Sequence, residues 1–142
     1  MLTRKELLDL ARARLRDAEA LFDAKRYEGA MYLCGYVVEL ALKARICKTL
    51  NWPGYPATKS EFEGYASFKT HTLGLLLRLS GQETKIKTRF LAEWSDVNNW
   101  NPESRYIPIR RIPRGSRARE MAALQKKAKD MIDSARVLLR QL

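Results

Sequence analysis

The sequence predicts an all-α protein, an antiparallel up-and-down bundle of four to five helices formed by one domain over residues 1–142. Three observations predict it. Apolar residues recur at three- and four-residue spacing over most of the chain, and no segment alternates with the period of a strand. One stretch, Gly29–Leu42, is apolar or small at every position except Glu39. All five prolines fall in two connections, residues 53–56 and 102–113, leaving long proline-free segments on either side.

The first helix is expected to start at Thr3, where Thr3 and Glu6 have the spacing of a capping box. Leu7, Ala11, Leu15, Ala18 and Phe22 then form one stripe, and the pattern closes near Lys25 and Arg26, cations suited to a helix C-terminus. The second helix is expected from Tyr27 to Thr49. Its run Gly29–Leu42 is too short to span a bilayer, and a helix apolar on all sides is covered by neighbours on most of its circumference. It is therefore the expected centre of the bundle. Residues 51–70 form an aromatic connection, with a short helical turn expected near Ser60–Tyr65. A short third helix follows His71 and carries Leu73, Leu75, Leu76, Leu77 and Leu79, with Thr70 or Thr72 as its cap. The fourth is expected from Glu83 to Asn98, with Ile86, Phe90, Leu91, Trp94 and Val97 on one face. Residues 99–115 form an irregular loop. The last helix begins near Ser116 and repeats Met121, Leu124, Ala128, Met131/Ile132, Ala135 and Leu138/Leu139, the stripe of a bundle helix. Its other face carries Lys126, Lys127, Lys129, Arg136 and Arg140.

Composition narrows function less than it narrows fold. The N-terminus lacks the apolar run of a signal peptide, and no segment is long enough for a membrane span, so the cytosol is the expected compartment. Cys34 and Cys47 lie thirteen residues apart on one expected helix, roughly 20 Å at the helical rise, too far for a disulfide. With one histidine and no CxxC pair, neither a metal site nor a cofactor is expected.

Charge is the strongest signal, and it is uneven. Of the net +11, residues 1–50 carry +3, residues 51–103 none and residues 104–142 +8, with six arginines between Arg105 and Arg119. Such a cluster points to a polyanion or acidic partner, or to a solvated basic surface. Arg110, Arg111, Arg114 and Arg117 are the candidate phosphate or nucleic-acid contacts. Glu39, the one charge of the central run, needs a partner if buried. Lys43 stands four residues on in the favourable order, and Arg105 is the alternative. Glu39, Lys43, Arg105 and Tyr106 are the candidate ligand-binding group. His71 has no metal-ligating neighbour in sequence and is expected to cap or anchor the third helix. Leu75 and Leu79 lie off the main stripe of that helix and suggest a second buried face, such as a homodimer contact.

Three blocks carry a family resemblance: Tyr36-Val-Val-Glu39-Leu-Ala-Leu42-Lys43-Ala44, His71-Thr-Leu-Gly-Leu-Leu, and Asn101-Pro-Glu-Ser-Arg105-Tyr106-Ile-Pro108. In that order the chain resembles the HEPN domain (higher eukaryotes and prokaryotes nucleotide-binding). The family's arginine-tyrosine-proline turn is interrupted here by Ile107. The resemblance implies a helical bundle, usually dimeric, on one of two branches. One branch comprises metal-independent ribonucleases marked by an arginine followed four to six residues later by a histidine. Here Arg89 is followed by Trp94 and Ser95 at the relevant positions, and an arginine does not act as a base near neutral pH. The resemblance therefore implies the other branch: a non-catalytic module binding nucleotides or RNA, or a partner of a minimal nucleotidyltransferase in a toxin–antitoxin or defence-type system. A divergent ribonuclease and a helical dimerisation protein are the alternatives.

Overall fold

The computed structural model describes residues 1–142, and its regular structure is helical. The helices are α1 (Arg4–Asp23), α2 (Tyr27–Thr49), α3 (Leu73–Leu79), α4 (Glu83–Arg89), α5 (Leu91–Val97) and α6 (Arg117–Gln141). Short 3-10 turns occupy Ser60–Phe62, Ala66–Phe68, Pro102–Tyr106 and Arg114–Ser116. No helix is long and apolar enough to cross a membrane.

Helix α1 begins as its sequence dictates. The Thr3 hydroxyl accepts from the Glu6 amide and the Glu6 carboxylate accepts from the Thr3 amide at 2.8 Å. It ends at Asp23, just short of the cations, and Lys25 takes a left-handed φ of 59° to turn the chain. Helix α2 is the centre of the bundle, with twelve of its 23 residues buried. It packs against α1, α3 and α6. Across the bundle, Arg136 of α6 bonds Glu19 of α1 at 2.5 Å and Asp133 at 2.9 Å. Arg136 thus belongs to a helix–helix ion pair rather than to the solvated face that the sequence suggests.

The expected fourth helix is two helices. Phe90 leaves the helical region with φ −132° and ψ 36°, so the seam continues through Ile86, Trp94 and Val97 while Leu91 is 58% exposed. The break resets the helical phase, which the apolar spacing alone does not reveal. In α3, Leu73, Leu76 and Leu77 are buried, Leu79 packs on the core and Leu75 is half-buried.

The long connection 51–70 is pinned rather than loose. Leu2 and Tyr55 exchange backbone hydrogen bonds of 2.9 and 2.7 Å, and the Tyr55 hydroxyl donates to the Phe68 carbonyl at 2.6 Å. Trp52, Tyr55, Phe62, Tyr65 and Phe68 form a cluster with ring centroids 4.8–6.5 Å apart.

Both cysteines are free and buried. Burial pushes the Cys34 thiol up to about 12 and raises that of Cys47. Neither thiol should react with an alkylating reagent until the chain unfolds. The raised Cys34 value also fixes the sign of an alkaline effect. The unfolded chain releases this proton first, so stability should fall as pH rises above the ordinary thiol range toward about 12. At pH 10 the Cys34 share of that loss is about 1 kcal/mol. Urea midpoints at pH 8 and 10 should show it, and Cys34→Ala should flatten the difference.

Candidate functional site

Two polar groups lie along α2. The first is built on Glu39. Helical geometry places Lys43 one turn away, and its Nζ donates to Glu39 Oε1 at 2.5 Å. The same carboxylate meets His71 Nδ1 at 3.0 Å from both oxygens. The Glu39 side chain is 4% exposed, Lys43 15% and His71 60%. Lys43 also lies 5.3 Å above the Tyr55 ring. Glu39 therefore satisfies the rule that a buried charge is paired. His71 anchors the entry to α3 by reaching back to α2, 32 residues earlier. The cap position itself belongs to Thr72.

The second group is aromatic. Tyr32 and Tyr36 share a hydrogen bond of 3.2 Å between their hydroxyls. Trp100 packs on Tyr36 with centroids 4.8 Å apart and donates from Nε1 to the Tyr32 carbonyl at 3.0 Å. Burial and then the Tyr32 hydroxyl push the Tyr36 phenol up to about 12. The hydrogen bond from Tyr36, helped by the Arg105 guanidinium, holds Tyr32 below the ordinary phenol value. Trp94 is buried and Trp100 half-buried, so both are packing groups.

The four candidate ligand residues do not converge. Arg105 forms no ion pair with Glu39. It lies 4.8 Å over the Tyr106 ring, and the nearby Tyr106 and Tyr32 phenols favour its charged form. The reason is the path of the chain: Trp100 fixes the loop against the N-terminal half of α2, at Tyr32 and Tyr36, while Glu39 is already occupied by Lys43 and His71. A single pocket lined by Glu39, Lys43, Arg105 and Tyr106 is therefore replaced by two separate groups.

Arg110, Arg111, Arg114 and Arg117 are all exposed. Arg110 approaches Glu120 at 4.0 Å and is 80% exposed, a pair worth little in water. Tyr106, Ile107 and Ile109 are 70%, 71% and 88% exposed on the same segment. The exposure of these three apolar side chains is not legible from the sequence, where a tyrosine and two isoleucines between prolines look like packing residues.

Among known families, the model of the HEPN domain matches residues 5–60. Over that stretch, about two fifths of its length, the chain is similar to a HEPN domain. The match covers α1, α2 and the start of the aromatic connection, and so includes Glu39 and Lys43. His71 and the arginine segment lie beyond it. No curated protein and no solved structure matches the chain. The Glu39–Lys43 pair therefore lies in the matched stretch, whereas α3 to α6 and the exposed basic segment lie beyond it.

Proposed function

We propose that the chain is a non-catalytic binding module for RNA or nucleotide phosphates, with the segment 105–119 as its contact surface. One observation carries this reading. The segment holds six arginines and no acidic residue, and it exposes Tyr106, Ile107 and Ile109 beside them. Guanidinium groups match phosphate oxygens in a fixed fork. An exposed aromatic ring next to cations is the arrangement on which single-stranded bases stack. The HEPN domain supports a nucleotide-binding or ribonuclease-type module, and the missing arginine–histidine spacing favours binding over cleavage. Within this reading, the segment is also the face that would meet a minimal nucleotidyltransferase partner of a toxin–antitoxin or defence-type pair.

The test is fluorescence anisotropy with a short single-stranded RNA over a salt series. The affinity should fall steeply with salt, and an Arg110→Ala/Arg111→Ala/Arg114→Ala variant should reduce the log–log slope by about 2. Tyr106→Ala should weaken binding by about 1–3 kcal/mol if it stacks a base. The RNA should remain intact on prolonged incubation. Absence of binding at low salt removes the nucleic-acid reading, and cleavage by purified protein favours the ribonuclease alternative.

A further inference from the structure

A different basic site lies at the far end of the bundle. A cleft of about 410 Å³ is lined by Arg4, Leu8 and Arg12 of α1, Arg45 and Lys48 of α2, and the end of α6 from Leu139 to Leu142, including Arg140. Five of these nine residues are cations and none has an acidic side chain. Arg117 and Arg140 mark opposite ends of α6, so this cleft stands roughly 35 Å from the start of that helix, where the arginine segment ends.

Ordinary structural roles account for part of the charge. Lys48 and Arg140 lie in the last turns of α2 and α6, where a cation complements the helix dipole. Arg12 is paired with Asp9 at 3.0 Å. Arg4 and Arg45 are not accounted for. Arg4 is the first residue of α1, the end at which a positive charge opposes the dipole. Arg45 carries a buried Nε with no hydrogen-bond partner, and a buried donor left unmade costs free energy. Arg4, Arg45, Lys48 and Arg140 all lack a carboxylate partner, so their mutual repulsion is not offset within the fold, and their attraction for an anion is strongest at low salt.

We propose that this cleft binds a short phosphate chain. An anion there supplies a counter-charge for Arg4, Arg45, Lys48 and Arg140, which the fold itself leaves without a carboxylate. Several linked phosphates suit the site better than one carboxylate, because four unpaired cations from three helices surround it and guanidinium forks match phosphate oxygens. The chain can be a free oligophosphate or the phosphates of a nucleotide, with Leu8, Leu139 and Leu142 as the apolar wall. The inference is independent of the RNA-binding reading, since the two sites share no residue.

Isothermal calorimetry and thermal melts of the full chain with sodium triphosphate and with ATP test it. Triphosphate should bind at low salt and raise the melting temperature. Arg45→Met, and separately Arg4→Ala/Arg140→Ala, should each weaken binding by about tenfold or more. The Arg110→Ala/Arg111→Ala/Arg114→Ala variant should retain it. Arg4→Ala alone should melt slightly higher than wild type without ligand yet bind more weakly, a sign reversal that a purely structural arginine does not give. Tighter binding of ATP than of triphosphate assigns the leucine wall to the nucleoside; equal binding assigns the site to the phosphate chain alone. The proposal is overturned if neither compound binds at millimolar concentration, or if binding is lost in the loop variant and kept in the Arg4, Arg45 and Arg140 variants.

Discussion

Gly35→Ala is expected to destabilise the protein by about 2–4 kcal/mol and to loosen the basic segment with it. A Cβ at position 35 would lie 2.0 Å from Cδ2 and Cε2 of Trp100, far inside van der Waals contact. The ring has little freedom to retreat: its Nε1 is bonded to the Tyr32 carbonyl and its face packs on Tyr36. The sign is informative. In an open helix the same substitution gains about 1 kcal/mol from propensity, so a stabilised variant would show that the ring yields without cost. Trp100 is the anchor from which residues 101–116 depart, and so the effect should extend to function. Gly35→Ala should raise tryptophan exposure, measured by fluorescence quenching, and increase protease cleavage between Arg105 and Arg119. Trp100→Ala, which removes the anchor outright, should cost about 3–5 kcal/mol.

The second large effect concerns Glu39. Glu39→Gln should cost about 2–4 kcal/mol, because it leaves Lys43 nearly buried without its anion. The pair as a whole is expected to be worth much less than its halves. Glu39→Leu/Lys43→Met should recover most of the loss, since replacing both members of a buried pair with apolar groups is often close to neutral. A double-mutant cycle by urea denaturation measures the difference; a coupling near zero would show that the two charges act independently. His71→Ala should change stability by less than about 1 kcal/mol, because the imidazole is exposed and its bond to Glu39 is screened by water. A large His71 effect would instead make it the principal partner of the buried carboxylate.

The contrast between these residues shows what kind of information a sequence holds. Lys43 as the partner of Glu39 is legible, because the helix fixes residues four apart on one face whatever surrounds them. The capping box at Thr3 and Glu6 and the limits of α2 at Tyr27 and Thr49 are legible for the same reason, being set by groups within a turn of one another. His71 as the second partner is not legible, for it depends on how 20 residues of aromatic connection fold between α2 and α3. Arg105 is the corresponding failure: a guanidinium in a matching turn looks like a partner for the lone carboxylate, but Trp100 seats the loop at Tyr32 and Tyr36. The break at Phe90 belongs to the same class, since Leu91 fits the apolar stripe by spacing and is turned to solvent only by one backbone rotation.

The candidate sites divide along the same line. The arginine segment is visible because its charge is contiguous. The cleft at the other end is assembled from Arg4, Arg12, Arg45, Lys48 and Arg140, which are scattered over the chain and unremarkable one by one. By itself the sequence determined an all-α bundle around Gly29–Leu42, the start of α1, the limits of α2, and the basic surplus of the last quarter. Each of these follows from periodicity, capping or composition, which act over a few residues. Only the tertiary structure decided which ends of α1, α2 and α6 meet, where Trp100 lands on Gly35, and which buried charges find a partner. Those outcomes depend on long-range packing, in which loop paths and side-chain shape select one of many arrangements that the local pattern leaves equally allowed.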